Sequence, residues 1–152
     1  MRDLGVILLA AGLGQRMKSR LPKVLHPLGG RPLLLHPLST ARSLKPKRIA
    51  VVVGHGAEEV KHACADNGIT WVFQQRQLGT GHAVSCTREI FRGFSGDLLI
   101  LSGDVPLISG DTLLGLLSRH REQNTALTLL TAFLEEPSGY GRILRNEKKD
   151  LL

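Results

Sequence analysis

Several things are scarce in this 152-residue chain, and each scarcity removes a class of function. There are only two cysteines, Cys64 and Cys86, and they belong to no metal-spaced cluster. A disulfide framework or zinc ribbon is therefore not expected, and without a secretion signal the pair reads as free thiols in a reducing, cytoplasmic setting. Aromatic residues make up 4% of the chain, too few for the stacking platforms that hold single-stranded bases. No apolar run approaches the ~20 residues that a membrane helix needs, and Val6–Ala11 is too short for a signal-peptide core. Acidic residues are outnumbered by basic ones, 13 to 20, for a net charge of +7. The basic residues are scattered, with Lys45–Arg48 the longest cluster, so neither nucleic acid nor a membrane is expected as partner. A phosphorylated small molecule suits a basic chain of this kind.

What is present is the composition of a globular domain, 42% hydrophobic and 22% charged. A chain of this length buries roughly 68–70% of its unfolded surface and holds a core without disulfides. Short apolar runs alternate with helical patterns. Strands are expected over Leu4–Ala11, Arg48–Val53, Ile69–Phe73, Asp97–Leu101 and Thr125–Leu134, with a sixth beginning in Arg142–Arg145. Helices are expected late in Pro32–Leu44, with Pro37 starting or kinking it, over Ala57–Asp66 up to Asn67-Gly68, over Gly81–Phe91, and over Asp111–Arg121 capped by Ser109 or Asp111. This alternation predicts an α/β fold, a mostly parallel sheet with helices on both faces. Ligands in such folds sit beyond the carboxyl ends of the strands, where the strand order reverses.

Three loops at those strand ends carry unusual residues. After the first strand comes Leu9-Ala-Ala-Gly-Leu-Gly-Gln-Arg-Met17, and Pro22-Lys23 follow. Gly12 and Gly14 allow backbone N–H groups to turn toward an anion, and Arg16 and Lys23 add fixed positive charge for a polyphosphate. The stretch is neither a dinucleotide fingerprint, since position 17 is Met, nor a Walker loop. After the third strand, Gln74 and Gln77 offer donors and acceptors for the edge of a base, and Gly79, Thr80 and Gly81 permit close backbone approach. A plain polar loop with a Thr80 helix cap is the alternative there, and at most His82 orients that loop. After the fourth strand, Ser102-Gly103-Asp104 places a carboxylate where it can hold Mg²⁺ against phosphate oxygens, or else cap a turn. No Gly-x-Ser-x-Gly nucleophile motif exists, and phosphoryl chemistry does not need one.

Five strings occur in order: Leu9-Ala-Ala-Gly-x-Gly-x-Arg-Met17, Pro22-Lys-Val-Leu-His26, Gln77-Leu-Gly-Thr-Gly-His-Ala83, Gly103-Asp-Val-Pro-Leu-Ile108 and Gly139-Tyr-Gly-Arg-Ile143. Together they resemble the N-terminal uridylyltransferase domain of the bifunctional bacterial N-acetylglucosamine-1-phosphate uridylyltransferase / glucosamine-1-phosphate acetyltransferase. The resemblance runs essentially the whole length of the chain. It implies a Rossmann-like fold of the nucleotide-diphospho-sugar transferase type, incomplete on its C-terminal side. It also implies transfer of UMP from UTP to N-acetylglucosamine 1-phosphate, giving UDP-N-acetylglucosamine and pyrophosphate, with Mg²⁺ as cofactor. By motif, Leu9, Ala10, Ala11, Gly12 and Gly14 would surround the nucleotide, Arg16 the β- and γ-phosphates, and Lys23 the α-phosphate. Gln74, Gln77, Gly79 and Thr80 would read uracil, Asp104 would hold the metal, and Ser102, Gly103 and Gly141 would lie on the sugar side.

The chain also departs from that pattern. Gln15 stands where the family usually has Thr, and Ser102 where many members have Tyr, so any sugar contact from that ring is lost. The family's domain continues past the Gly-Tyr-Gly-Arg-Ile string with a sugar-binding Glu, a sugar-binding Asn and a second metal ligand. Residues 1–152 therefore read as the first part of one nucleotidyltransferase domain. On this resemblance the β-helix acetyltransferase domain is expected to be absent, and no family-type trimer is expected. Two alternatives remain: a related enzyme with another base or acceptor, such as a molybdopterin cytidylyltransferase, and a catalytically silent nucleotide-binding module.

Overall fold

The computed structural model describes residues 2–65 and 67–147. In chain order the elements are β1 (Asp3–Ala10), two 3₁₀ turns (Gln15–Met17 and Lys23–Leu25), β2 (Pro27–Leu28), β3 (Arg31–Pro32), α1 (Leu35–Ser43), β4 (Arg48–Val53), α2 (Ala57–Ala63), β5 (Ile69–Phe73), α3 (Thr80–Ser85), β6 (Gly96–Ser102) and α4 (Gly110–Gln123). Four strands form one parallel sheet in the order β5-β4-β1-β6, while β2 and β3 make a small antiparallel ribbon. The chain builds outward from β1 to β4 and β5, then crosses to place β6 on the other side. The strand order thus reverses between β1 and β6, as the alternation of elements implied.

The two central strands are apolar because both of their faces are covered. Alternate residues of β1 (Leu4, Val6, Leu8) and of β4 (Ile49, Val51, Val53) enter the main core with Leu38 and Ala41 of α1, Val60 of α2, and Leu113 and Leu117 of α4. The other face carries a smaller cluster, Ile7, Ala11, Val52 and Ala83 of α3, with Phe91 packed against it. Helices therefore lie on both sides, three on one and the short α3 on the other. Pro37 falls in the first turn of α1, where its missing N–H leaves no bond unmade. Ser109 caps α4, its Oγ accepting the Thr112 N–H at 3.1 Å.

The structure corrects several expectations. The fourth strand begins a residue earlier and ends a residue later than expected, at Gly96 and Ser102, and lies at an edge of the sheet: Leu99 and Leu101 are buried while Leu98 and Ile100 stay exposed. The helix expected to reach Asp66 ends at Ala63, with Cys64 as its C-cap, and Asp66 itself lies outside the described residues. The helix expected over Gly81–Phe91 is regular only to Ser85. Beyond it the N–H groups of Thr87, Arg88 and Ile90 bond three residues back, and the hydroxyls of Ser85 and Thr87 take carbonyls of the preceding turn.

The largest correction is the strand expected over Thr125–Leu134: no strand forms there, and over Arg142–Arg145 a single residue, Arg145, stands in a β-bridge. The side chains of Thr125 and Thr128 turn back to the end of α4, where both hydroxyls meet His120 Nδ1, at 3.2 and 2.9 Å. Residues 126–130 face β6 across a groove of about 690 Å³ rather than joining its hydrogen-bond ladder. Phe133, further on, is fully exposed. A β-prone run without a neighbouring edge at ladder distance stays irregular.

Candidate functional site

At the carboxyl end of the sheet lies a cleft of about 570 Å³, between the segments that follow β1, β5 and β6. Its first wall is the turn after β1. The Met17 N–H donates to the Gly14 carbonyl at 2.8 Å, closing the turn that carries Arg16. Gly14 has φ +59°, and a Cβ there would stand 2.8 Å from Lys23 Cβ. Only glycine lets the turn close on the lysine.

Lys23 is held from behind as well. Val24 and Leu25 are buried in the main core, and Pro22 packs against Gly56, where an added Cβ would come within 2.5 Å of Pro22 Cγ. The Leu34 N–H donates to the Val24 carbonyl at 3.0 Å, tying the segment to the start of α1. This packing places the Lys23 side chain at the mouth of the cleft, where its Nζ pairs with Asp104 Oδ2. Burial alone would raise the Asp104 carboxyl. The hydrogen bond and charge of Lys23 outweigh it, helped by the Ser102 hydroxyl and the backbone, and hold the pKa below the ordinary carboxylate value.

Asp104 follows β6, and the Gly103 N–H donates to the Leu9 carbonyl at 2.9 Å, locking the ends of β1 and β6 together. Gly103 is itself buried under the cleft rather than lining it, with Leu34 Cδ1 and the Leu9 carbonyl each 3.0 Å from where a Cβ would sit. The third wall begins with Gln74, which extends the ladder past β5 by donating its N–H to Val53 at 2.8 Å. Its side chain is buried, with Nε2 at 3.2 Å from the Gly79 carbonyl and 2.9 Å from His82 Nδ1. Gln77 reaches back over Gly54, its Nε2 2.6 Å from the position a Cβ would take there.

The cleft thus gathers Leu9, Ala10, Ala11, Gly12, Gly14, Arg16, Lys23, Gln74, Gln77, Gly79, Thr80, Ser102 and Asp104. Gly141 is not among them: it is exposed, in a loop that Arg142 closes on itself through the carbonyls of Pro137 and Tyr140. Sequence reasoning passed over Leu13, Met17, Val24 and Ala83, the apolar part of the lining. They carried no signal distinguishing them from core. It also passed over Asp97, buried at the far end of β6 and bonded by Arg121 Nε at 2.6 Å, an ion pair away from the cleft that anchors α4 to the sheet. Among the described residues, no three His, Cys, Asp or Glu side chains gather to hold a metal. Asp104 nevertheless suits Mg²⁺, which commonly takes one or two carboxylates and completes its shell with water and phosphate oxygens. Among the described residues, no helix is long and apolar enough to cross a membrane.

Known proteins resemble the chain over most of its length. Residues 6–147 match the family of the MobA-like NTP transferase domain. The chain is 51% identical to a bifunctional protein GlmU of Pelobacter propionicus over 148 residues, 97% of this chain and 32% of that protein. It is likewise 51% identical to the GlmU of Nitrosomonas europaea over 147 residues, 96% of this chain and 31% of that protein. The chain therefore spans about a third of the length of these curated relatives. Among solved structures, the Mycobacterium sp. JC1 homologue of Rv0371c superposes with a TM-score of 0.68 at 26% identity, covering 78% of this chain and 59% of that one. The 4-diphosphocytidyl-2C-methyl-D-erythritol synthase of Anaerococcus prevotii has a TM-score of 0.64 at 17% identity, covering 99% and 63% of the two chains, a likeness of fold alone.

Proposed function

Because the chain belongs to the MobA-like NTP transferase domain family and is a nucleotidyltransferase, we propose that it transfers UMP from UTP to N-acetylglucosamine 1-phosphate, releasing pyrophosphate. The observation that carries this reading is the meeting of the glycine turn, the Lys23–Asp104 pair and Gln74 in one cleft at the strand-order switch. The choice of uridylyl donor and sugar phosphate rests on the five strings and on relatives called bifunctional GlmU.

In this reading the triphosphate lies along Leu9–Gly12 and Gly14, with Arg16 at the β- and γ-phosphates and Lys23 at the α-phosphate. Gln74, Gln77, Gly79 and Thr80 meet the base. Without ligand, Lys23 is spent on Asp104; when the nucleotide enters, its ammonium transfers to phosphate and frees the carboxylate. Asp104 would hold Mg²⁺, which when bound would supply positive charge against the negative charge that builds up during transfer. The protein's part is to position and to neutralise, since phosphoryl chemistry needs no protein nucleophile. We read the protein as cytoplasmic, a setting in keeping with the free thiols of Cys64 and Cys86.

One observation favours a second reading, a protein that binds nucleotide and turns over slowly. Of the three residues expected on the sugar side, Ser102 alone lines the cleft, while Gly103 lies beneath it and Gly141 outside it. An acceptor held by so few groups forfeits the orientation worth up to ~7–11 kcal/mol in well-positioned reactions. The test measures UTP binding and pyrophosphate release on one sample, with Mg²⁺ and N-acetylglucosamine 1-phosphate. Binding with efficient release establishes the first reading, binding with slow release the second, and a preference for CTP overturns the uridylyl donor.

A further inference from the structure

We propose that His82 is a positioning residue that, with the Gly79 carbonyl, holds the Gln74 carboxamide one way round, and thereby sustains the preference of the cleft for uracil over cytosine. The inference rests on the uridylyl reading above and deepens it.

A glutamine amide has two chemically opposite ends, an NH₂ that only donates and an oxygen that only accepts. At Gln74 the surroundings decide which end points where. The Gly79 carbonyl can only accept, so the atom 3.2 Å from it is the NH₂ nitrogen. The same nitrogen lies 2.9 Å from His82 Nδ1. His82 Nδ1 is therefore the bare, accepting nitrogen, and the ring proton sits on Nε2. Both N–H bonds of Gln74 are thus engaged by the protein. Its Oε1 makes no hydrogen bond among the described residues. Neither is it a buried atom without a partner, a condition that among the described residues is met at His26 Nε2 alone. Gln74 lines the cleft, so this oxygen is the polar atom it has left for a ligand.

An acceptor at that point selects among pyrimidines. Uracil carries a hydrogen on N3 and donates there; cytosine N3 is a lone pair and accepts. In the pose this proposal takes, with Oε1 opposite N3, the oxygen of Gln74 welcomes the first and faces the second lone pair to lone pair. Turning the amide over would reverse this preference. The turned amide would set Oε1 against the Gly79 carbonyl and would require the proton of His82 on Nδ1. The Gly79 carbonyl, which can only accept, sets the sense of the amide, and His82, on α3, holds its second N–H in the shorter of the two bonds. Without His82 the amide would keep its orientation by the 3.2 Å bond to Gly79 alone.

The tautomer is checked directly on the unaltered protein by ¹⁵N NMR of its histidine rings. A bare Nδ1 and protonated Nε2 at His82 are expected; a proton on Nδ1 overturns the proposal. Calorimetric titration with UTP and with CTP, in Mg²⁺, then compares the wild type with His82→Leu and His82→Asn. Removing the acceptor in His82→Leu is expected to lower the UTP-over-CTP preference about tenfold. His82→Asn, whose side-chain oxygen can accept near the Nδ1 position, is expected to restore most of it. If His82→Leu weakens both nucleotides in parallel, or leaves their ratio unchanged, the residue does not set base preference. A wild type that prefers CTP instead overturns the uridylyl reading and this inference with it.

Discussion

Replacing Gly14 by Ala tests whether the turn after β1 is what sets Lys23 in place. Two costs arise, and the structure separates them. The first is the backbone: at φ +59° a Cβ is unfavourable by roughly 1–2 kcal/mol. The lower chain entropy of unfolded Ala offsets about 0.4–1 kcal/mol of that. The second is contact: the new methyl would stand 2.8 Å from Lys23 Cβ, when carbons settle at about 3.5–4.0 Å. Lys23 has little room to retreat, because Val24 and Leu25 are buried behind it and Pro22 is seated on Gly56. Overpacking of this kind costs about 1–3 kcal/mol. Gly29 supplies the control, with φ +57° and nothing within 4 Å of its would-be Cβ. Gly29→Ala should carry the backbone cost alone and bind UTP as the wild type does. Gly14→Ala should lose about 1–3 kcal/mol more in urea unfolding. It should also bind UTP roughly 10–100-fold more weakly, the loss of one charge-assisted contact. Equal stability losses in the two variants, with unchanged UTP affinity in Gly14→Ala, would refute the reasoning.

Other outcomes follow from the same geometry. Asp104→Asn should stay folded and lose the Mg²⁺ dependence of nucleotide binding; titration of UTP with and without the metal checks it. The Asp104 carboxyl lies below its ordinary value in the folded protein, so the Lys23 pair stabilises fully at neutral pH and fades as pH falls from about 4 through the lowered native value. The stability difference between wild type and Lys23→Met should therefore shrink on acidification; a difference that grew would contradict the pairing. With both side chains partly exposed, the effect at pH 7 should be no more than about 1 kcal/mol. Leu113→Ala removes a side chain that is 1% exposed and should cost about 2–5 kcal/mol in urea unfolding.

The sheet was legible because its strands report their surroundings. Covered on both faces, β1 and β4 read as unbroken apolar runs, and their boundaries fall within a residue or so of expectation. Residues 125–134 show the limit of that signal. Their composition favours a strand, but a strand needs a partner edge, and whether one is available is a property of the whole fold rather than of the run. The end of α3 was hidden for a local reason, since the hydroxyls of Ser85 and Thr87 compete for carbonyls in a stretch whose apolar spacing still looks helical. At the site, the glycine turn and the Gln74–Thr80 loop announced themselves through residue types crowded at strand ends. The pairing of Lys23 with Asp104 did not, because 81 residues separate them and only the β1–β6 neighbourhood brings them together. The role of His82 was hidden in another way: it depends on which ring nitrogen is bare, and the Gly79 carbonyl decides that.

The central place of β1 also fixes a timetable for synthesis. The first strand to be made must wait for both of its neighbours: Gly5 pairs with Arg48, and Asp3 with Gly96. At about 5–20 residues per second, the stretch from Asp3 to Gly96 takes roughly 5–20 s to be translated. Throughout that interval Val6, Ile7 and Leu8, all fully buried in the finished protein, have no complete sheet to enter. Closing so long a loop is also what slows folding in parallel topologies. The nascent chain is thus most exposed to misassociation just before β6 is complete, and the segment that completes the cleft is the same one that ends this vulnerable period.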